Sequence, residues 1–425
     1  MGAADTSRSP RRVAVVGAGM VGLATAWFLQ ERGVAVTVLD REGVAAGSSW
    51  GNAGWLTPGI ATPLPEPAVL RYGVRAVLSP SSPVYVPPTT DPRLITFLAR
   101  FARNSTASRW SSAMEALVPL NRRALDGFDA LAEGGVTGQT VEAKSFLAAY
   151  RTEAERAVLL EEIEHIHAAG QDIEFDVLTG AEAREVEPSL ADGIGAAIRL
   201  HGQRFIDPGS YVQLLAESVR ERGGEIRAGV TVRGIHDRAG TVDVESAGPG
   251  APDGTVETFD AVVLAAGAWL GELARPFGVR TPVQAGRGYS FSIPIEHVPT
   301  GPVYFPAQRV ACTPLGDRLR VAGMMEFRGP DAPLDPRRID AIVAAARPLL
   351  RGADLDARTD EWVGARPCTP DGLPLIGATR SQRVFVAGGH GMWGITLGPV
   401  TGQLLAEAVV TGRAPAELAP FDPLR

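Results

Sequence analysis

The chain runs to 425 residues, 45% of them hydrophobic and 21% charged, with a formal net charge of −7. That composition belongs to a globular protein with ample core and room for about two or three domains; without a basic block it argues against a nucleic-acid surface or an anionic-membrane anchor. Cys312 and Cys368 are the only cysteines and form no CxxC pair, which excludes a thiol-ligated cluster, a redox dithiol and a disulfide framework and fits a reducing cytoplasm.

In chain order, Met1 to Pro10 reads as a disordered leader. Arg11-Arg12 before the uncharged run Val13 to Leu29 mimics an export signal, but the run lacks a small-residue cleavage site and passes straight into a second strand. Met1-Gly2 with Thr6 meets only a loose myristoylation pattern. Val13 to Asp40 spells strand, Gly-rich turn, helix, strand. In the turn Gly17-Ala18-Gly19-Met20-Val21-Gly22, Gly17 permits a tight bend, Gly19 lets backbone N–H groups approach a pyrophosphate, and Gly22 lets the helix lie close on the sheet. The helix N-terminus adds partial positive charge. Asp40, closing the second strand, has the spacing of the carboxylate that accepts ribose hydroxyls. The pattern specifies a dinucleotide and leaves NAD or FAD open.

Ala45 to Gly54 is a run of small and hydroxyl residues without periodicity, suited to backbone passing a large planar ligand. Here Asp40-Arg41, Ser48-Ser49 and Asn52-Ala53-Gly54 together resemble the second FAD fingerprint of the D-amino-acid oxidase and dehydrogenase superfamily. The resemblance implies that the acid binds ribose and that the following segment lies along the pyrophosphate and flavin. Most members carry Glu where this chain has Asp40, one methylene longer.

Ile60 to Pro88 is proline-rich and reads as a crossing between domains. Pro92 to Trp110 and Ser112 to Glu133 show helical apolar spacing and are expected to pair antiparallel; the run from Asn104 to Trp110 is similar to a segment of bacterial D-amino-acid dehydrogenases. A helix over Glu153 to Ala169 carries His165 and His167, whose i, i+2 spacing turns them to different faces and argues against a metal site. After Phe205 a helix over Tyr211 to Arg222 precedes Gly223-Gly224 and a strand pair, Ile226 to Ile235 and Thr241 to Glu245; the resemblance puts backbone at Val230 or Val232 beside the adenine. Phe259 to Trp269 is a buried strand ending in Ala265-Ala266-Gly267, similar to the superfamily's AAGAW motif and placed against the cofactor.

Thr281 to Val321 has β-rich patterns broken by Gly and Pro and predicts an antiparallel sheet forming the floor and wall of a substrate pocket. Tyr289 and Tyr304 offer phenolic hydroxyls to a substrate carboxylate, or serve as buried structural tyrosines. Glu326 resembles a family strand end where the acid is structural. Trp362 to Gly377 contains Gly364-Ala365-Arg366-Pro367, similar to the GxRP motif whose arginine binds the amino-acid carboxylate; a guanidinium fork matches a carboxylate and stays charged. The alternative for Arg366 is an interdomain salt bridge. Cys368 does not coincide with the linking cysteine of covalent relatives, so FAD is expected to be non-covalent. Arg383 to Val386 is a strand, and Gly389-His390-Gly391-Met392, with Gly394-Ile395-Thr396, leads to a helix from Pro399. By resemblance this loop approaches the flavin and aims the helix N-terminus at it, with His390 holding the loop rather than serving as a base.

The architecture expected is α/β (α+β overall): a Rossmann-like FAD-binding domain over 1–78, 203–278 and 358–425, and a discontinuous substrate domain on an antiparallel sheet over 79–202 and 279–357. The resemblance implies hydride transfer from the Cα of a D-amino acid or related amine to flavin N5, giving an imino acid and then a 2-oxo acid plus ammonia. Secondary amines such as sarcosine, glycine or hydroxyproline are an alternative; a flavin monooxygenase or a non-catalytic flavoprotein subunit is another. The electron acceptor is a quinone or oxygen. Sarcosine-oxidase-like relatives use a lysine near the flavin to activate oxygen, and the sole lysine here, Lys144, falls outside the flavin segments, favouring a dehydrogenase. A cytoplasmic location is expected, with a peripheral place at the inner membrane face and an oligomer or partner subunit left open.

Overall fold

The computed structural model describes residues 9–67, 79, 81–249 and 251–425. The expected disordered leader and the middle of the proline-rich crossing lie in part outside the described residues.

Among the described residues, six strands form one sheet in the order Glu225–Arg227, Ala35–Leu39, Arg12–Val16, Ala261–Leu264, Val384–Gly388, Leu375–Ala378. Every pairing is parallel except the last. Such strands are buried on both faces and read as continuous apolar runs, as in Val13 to Val16, where no residue is more than 6% exposed. The helix Met20–Glu31 packs against the C-terminal helix Gly394–Thr411. Small residues permit the approach: a Cβ at Gly402 would lie 2.7 Å from the Ala24 carbonyl carbon, and one at Gly398 would lie 2.6 Å from Met20 Cγ. Leu23, Trp27, Phe128, Leu404 and Leu405 close the core there.

A larger sheet runs Thr359–Cys368, Gln284–Pro294, Arg318–Phe327, Val310–Leu315, Val303–Phe305, Phe146–Tyr150, Ala196–Leu200, Phe175–Thr179, with Val84–Tyr85 added on Arg318–Phe327. The strands of the block Thr281 to Val321 pair antiparallel as expected; two parallel pairings are added, Val303–Phe305 with Phe146–Tyr150 and Val84–Tyr85 with Arg318–Phe327, since strands arriving from distant parts of the chain are free of the hairpin constraint. One face packs Phe291, Phe305 and Val321 under the helix Pro336–Ala346 through Ile339 and Ile342. The opposite face meets the segment after the second fingerprint strand: Ser290 Oγ donates to the Gly51 carbonyl (2.7 Å), Thr313 Oγ1 donates to the Ala53 carbonyl (2.6 Å), and Trp55 Nε1 donates to Thr313 Oγ1 (2.8 Å).

Several boundaries differ from expectation. The strand Ile226 to Ile235 is two elements, Glu225–Arg227 in the parallel sheet and Thr231–Asp237 in a three-stranded meander with Val242–Gly248 and Ala251–Phe259. Gly229, at φ 72°, turns the chain between them. The helix pair is three helices, Pro92–Asn104, Ala107–Arg122 and Ala124–Glu133; Thr106 caps the second by accepting from the Arg109 N–H. The last helix starts at Gly394, with Pro399 inside it, so proline supplies no N–H to the Ile395 carbonyl and marks no start.

Candidate functional site

The six-stranded sheet, the meander edge and the C-terminal helix enclose a cavity of about 500 Å³. Its lining includes the expected residues Gly17, Gly19, Met20, Val21, Gly22, Asp40, Arg41, Ser48, Ser49, Asn52, Val230, Val232, Ala266, Gly267, Arg366, His390, Gly391, Met392, Gly394 and Ile395.

At the fingerprint turn the backbone is shaped for a bulky anion. Gly17 has φ 115°, and a Cβ there would lie 2.4 Å from the Ala265 oxygen. Gly19 caps the helix Met20–Glu31 without any side-chain cap, so its first-turn donors, which a helix cannot satisfy internally, open onto the cavity. The Met20 N–H is met by Ser49 Oγ at 3.2 Å. Asp40 accepts from the N–H groups of Ala18 (2.8 Å), Glu42 (2.9 Å) and Gly43 (2.8 Å). The carboxylate therefore ties the Gly-rich turn to the loop that follows, beyond the ribose role expected of it. Glycine cradle, uncapped helix start and strand-end carboxylate fit a dinucleotide laid across the carboxyl ends of the strands.

Arg366 reaches the other end of the cavity from the edge strand Thr359–Cys368. Its guanidinium lies over Gly288, where a Cβ would stand 2.1 Å from Cζ. Nη1 donates to the Met324 carbonyl at 2.8 Å, and Met324 takes φ 64°, a left-handed conformation rare outside glycine. Among the described residues Arg366 has no carboxylate partner. Burial lowers its pKa from the ordinary value, with the Cys368 thiol the one opposing influence. Cys368 is buried, its own pKa pushed up to about 12 by burial.

His390 is 3% exposed, its Nε2 lies 3.0 Å from Thr401 Oγ1, and burial lowers its pKa to about 4. Burial thus favours the neutral ring, which the Thr401 hydroxyl engages.

Six expected residues are not brought to the cavity. The carbonyl of Ala53 accepts from Thr313. Gly54, at φ 77°, packs on the Ile206 carbonyl, and Gly389, at φ 75°, packs on Thr369. Thr396 Oγ1 donates to the Trp55 carbonyl at 2.9 Å. Tyr289 is 1% exposed and donates to Glu326 Oε2 at 2.5 Å in a buried group with Arg287, which bonds the same oxygen at 3.2 Å. Tyr304 stands edge-on to Trp55, ring centroids 5.3 Å apart.

Sequence reasoning missed Trp269 and Arg233 as lining residues. Arg41 stacks over Trp269 at 3.9 Å while both side chains bond Asp331, Arg41 at 2.7 Å and Trp269 Nε1 at 3.1 Å. Trp269 ended a motif already assigned to the cofactor, which was the available signal; Asp331 had none.

The sequence pattern of the DAO family, FAD dependent oxidoreductase, matches residues 12–408. A D-amino acid dehydrogenase of Xylella fastidiosa (strain 9a5c) is 32% identical over 407 residues, 94% of this chain and 92% of that one. The fold is similar to that of glycine oxidase from Geobacillus kaustophilus, with a TM-score of 0.75 at 24% identity over 99% of both chains. It is also similar to that of L-alpha-glycerophosphate oxidase from Mycoplasma pneumoniae solved with FAD bound, with a TM-score of 0.69 at 18% identity over 94% of both chains.

Proposed function

Because the chain belongs to the DAO family of FAD-dependent oxidoreductases, we propose that it oxidatively deaminates a D-amino acid, with Arg366 holding the substrate carboxylate. The observation that carries this reading is the guanidinium of Arg366: it lines the cofactor cavity, is half-buried with burial lowering its pKa, and among the described residues has no carboxylate partner. A buried cation without a counter-ion is costly. A substrate carboxylate supplies that counter-ion in a bidentate geometry, whereas an interdomain salt bridge would have its partner in the chain already.

FAD, held by the Gly17 turn, Asp40 and Ser49, would supply the acceptor for a hydride from the substrate Cα, and the resulting imino acid would be hydrolysed by water to a 2-oxo acid and ammonia. The chain's own part is orientation and exclusion of water. Arg366, steadied by the Met324 carbonyl, fixes the carboxylate; Met392 and Ile395 supply apolar lining; the C-terminal helix directs its positive end at the same region. With His390 neutral and bonded to Thr401, no proton need pass through it, and the amine enters unprotonated. The D-configuration rests on the Xylella relative. The same reading divides the chain into an FAD-binding domain over 1–78, 203–278 and 358–425 and a substrate domain over the rest. Anaerobic addition of D- and L-amino acids to the purified holoprotein is the test: bleaching of the flavin band by D-enantiomers supports the reading, and bleaching by neither series overturns it.

A further inference from the structure

At the cofactor end of the cavity, away from Arg366, two side chains from opposite sides of the fingerprint strand meet. Arg41 follows the strand Ala35–Leu39 and Trp269 follows the strand Ala261–Leu264, and these two strands flank Arg12–Val16 in the parallel sheet. The flanking strands lie two spacings apart, roughly 10 Å, with the Gly17 turn leaving from the strand between them. Even so, the Arg41 guanidinium carbon stands 3.9 Å from the Trp269 ring centroid. Arg41, Trp269, Gly17 and Gly19 all line the one cavity, so the stacked pair forms an arch from one wall of it to the other.

The arch is fastened from a third direction. Asp331 belongs to the loop 328–335, between the strand Arg318–Phe327 of the larger sheet and the helix Pro336–Ala346. Its Oδ1 accepts from Arg41 Nη2 at 2.7 Å and its Oδ2 from Trp269 Nε1 at 3.1 Å, one carboxylate on both halves of the stack. Glu42 also reaches Arg41, at 3.1 Å, but as its chain neighbour it cannot tie one wall to the other. The loop is held from beneath by a buried charge that the deamination chemistry leaves unused. Arg287, 1% exposed and bonded to the buried Glu326, donates through Nη2 to the carbonyls of Ala332 (2.6 Å) and Pro333 (2.9 Å). Gln284 Nε2 donates to the Arg328 carbonyl at 3.0 Å. Pro330 and Pro333 fix φ on either side of Asp331, so the carboxylate is presented to the arch on a stiff tip.

We propose that Asp331 fastens a strap over the cofactor: Arg41 and Trp269 must part for FAD to enter or leave, and the loop 328–335 thereby sets the rate of cofactor exchange rather than its affinity. The inference rests on FAD as the cofactor and is independent of what Arg366 binds. The strap closes through contacts within the chain, so opening breaks the same contacts whether FAD is entering or leaving. Those contacts are modest. The Arg41 and Asp331 side chains are 36% and 64% exposed, an ion pair of the weak surface kind, added to one stack of a cation on an aromatic ring. Unfastening should shift the opening equilibrium about three- to tenfold, enough to change rates and too little to change the fold.

The test is FAD exchange in Asp331→Ala, read as two rate constants: binding, from the change in flavin fluorescence on mixing FAD with full-length apoprotein, and release, from its reversal on dilution of the holoprotein. Both should rise together, about three- to tenfold, with Kd moving less than about twofold. Pro330→Gly combined with Pro333→Gly keeps all three side chains and loosens only the loop, and should also raise both rate constants. Salt screens an exposed ion pair, so the gap between the wild-type chain and Asp331→Ala should narrow as ionic strength rises. Faster release with unchanged binding, and Kd weakened in step, would make the arch a holder of FAD and overturns the strap. Rates unaltered in both variants overturn it as well.

Discussion

Arg366 donates to the carbonyl of Met324 at 2.8 Å, and that carbonyl is turned toward it by a residue at φ 64°. A non-glycine residue in this region marks local backbone strain, of the sort that accumulates where geometry serves a ligand. Nη1 also reaches Met325 Sδ at 3.9 Å, and among the described residues no carboxylate takes up the remaining donors.

Arg366→Ala should therefore lower kcat/KM by about 30-fold to several thousand-fold, the range of about 2 to 5 kcal/mol for losing a buried charged pair. FAD content and melting temperature should hold, because the substitution removes a desolvated charge with no counter-ion in the chain. Arg366→Lys should recover little, since a point charge does not fix orientation. A loss of flavin or stability in step with activity would restore the salt-bridge reading.

Gly288→Ala tests the same anchor from beneath. The added Cβ would lie 2.1 Å from Arg366 Cζ and Nη2, the far end of a long side chain. The guanidinium can move aside, so the fold should survive while the substrate is displaced. A shift of about 1 Å in a reacting geometry can cost about 100-fold in rate. Normal flavin absorbance with a drop of that order is the expected result, and unaltered turnover would place the substrate elsewhere.

Asp40→Ala should weaken FAD binding by about 1.5 to 3 kcal/mol, roughly ten- to 150-fold in Kd, if the carboxylate bonds the ribose. Because Asp40 also accepts from Ala18, Glu42 and Gly43, the variant should loosen the turn, which proteolysis in the apoprotein would detect. Titration of apoprotein with FAD measures the first effect, and an unchanged Kd sinks the ribose assignment.

The fingerprint unit was legible because everything it needs is local: an apolar run, three glycines at fixed offsets, and an acid one strand later. The contacts that were not legible are long-range. Arg41, Trp269 and Asp331 meet across 290 residues of chain, and no spacing rule connects them. Tyr289 and Tyr304 looked equivalent in the sequence, as phenols in β-rich segments. The sheet separates them by facing, Tyr289 into the apolar layer with Phe291 and Ile339 and Tyr304 toward Trp55. The helix start at Gly394 was hidden by Pro399, since proline inside a helix and proline at its first turn look alike in sequence.

Reoxidation should be slow with oxygen and faster with a quinone or dye. Lys144, the sole lysine, is exposed in the loop between Val141–Glu142 and Phe146–Tyr150 and is no part of the cavity lining. Peroxide formed at the rate of substrate oxidation would reverse this expectation.

His390 gives the protein a defined pH dependence. Burial lowers its pKa from 6.5 to about 4, so the folded state keeps the ring neutral while the unfolded chain takes up a proton near its ordinary value. Stability from this group is therefore complete above pH 6.5 and is lost as pH falls toward 4. Integrated over that window the loss is about 3 kcal/mol. Turnover at neutral pH should show no inflection from His390, since the ring does not titrate there. Urea unfolding of the holoprotein between pH 7.5 and about 4.5, beside His390→Asn, isolates the contribution: the wild-type chain should lose more stability on acidification than the variant, whose side chain has no proton to take up. Equal slopes would mean that the ring charges in place, and that the bond to Thr401 at 3.0 Å does not hold a neutral imidazole against the flavin loop.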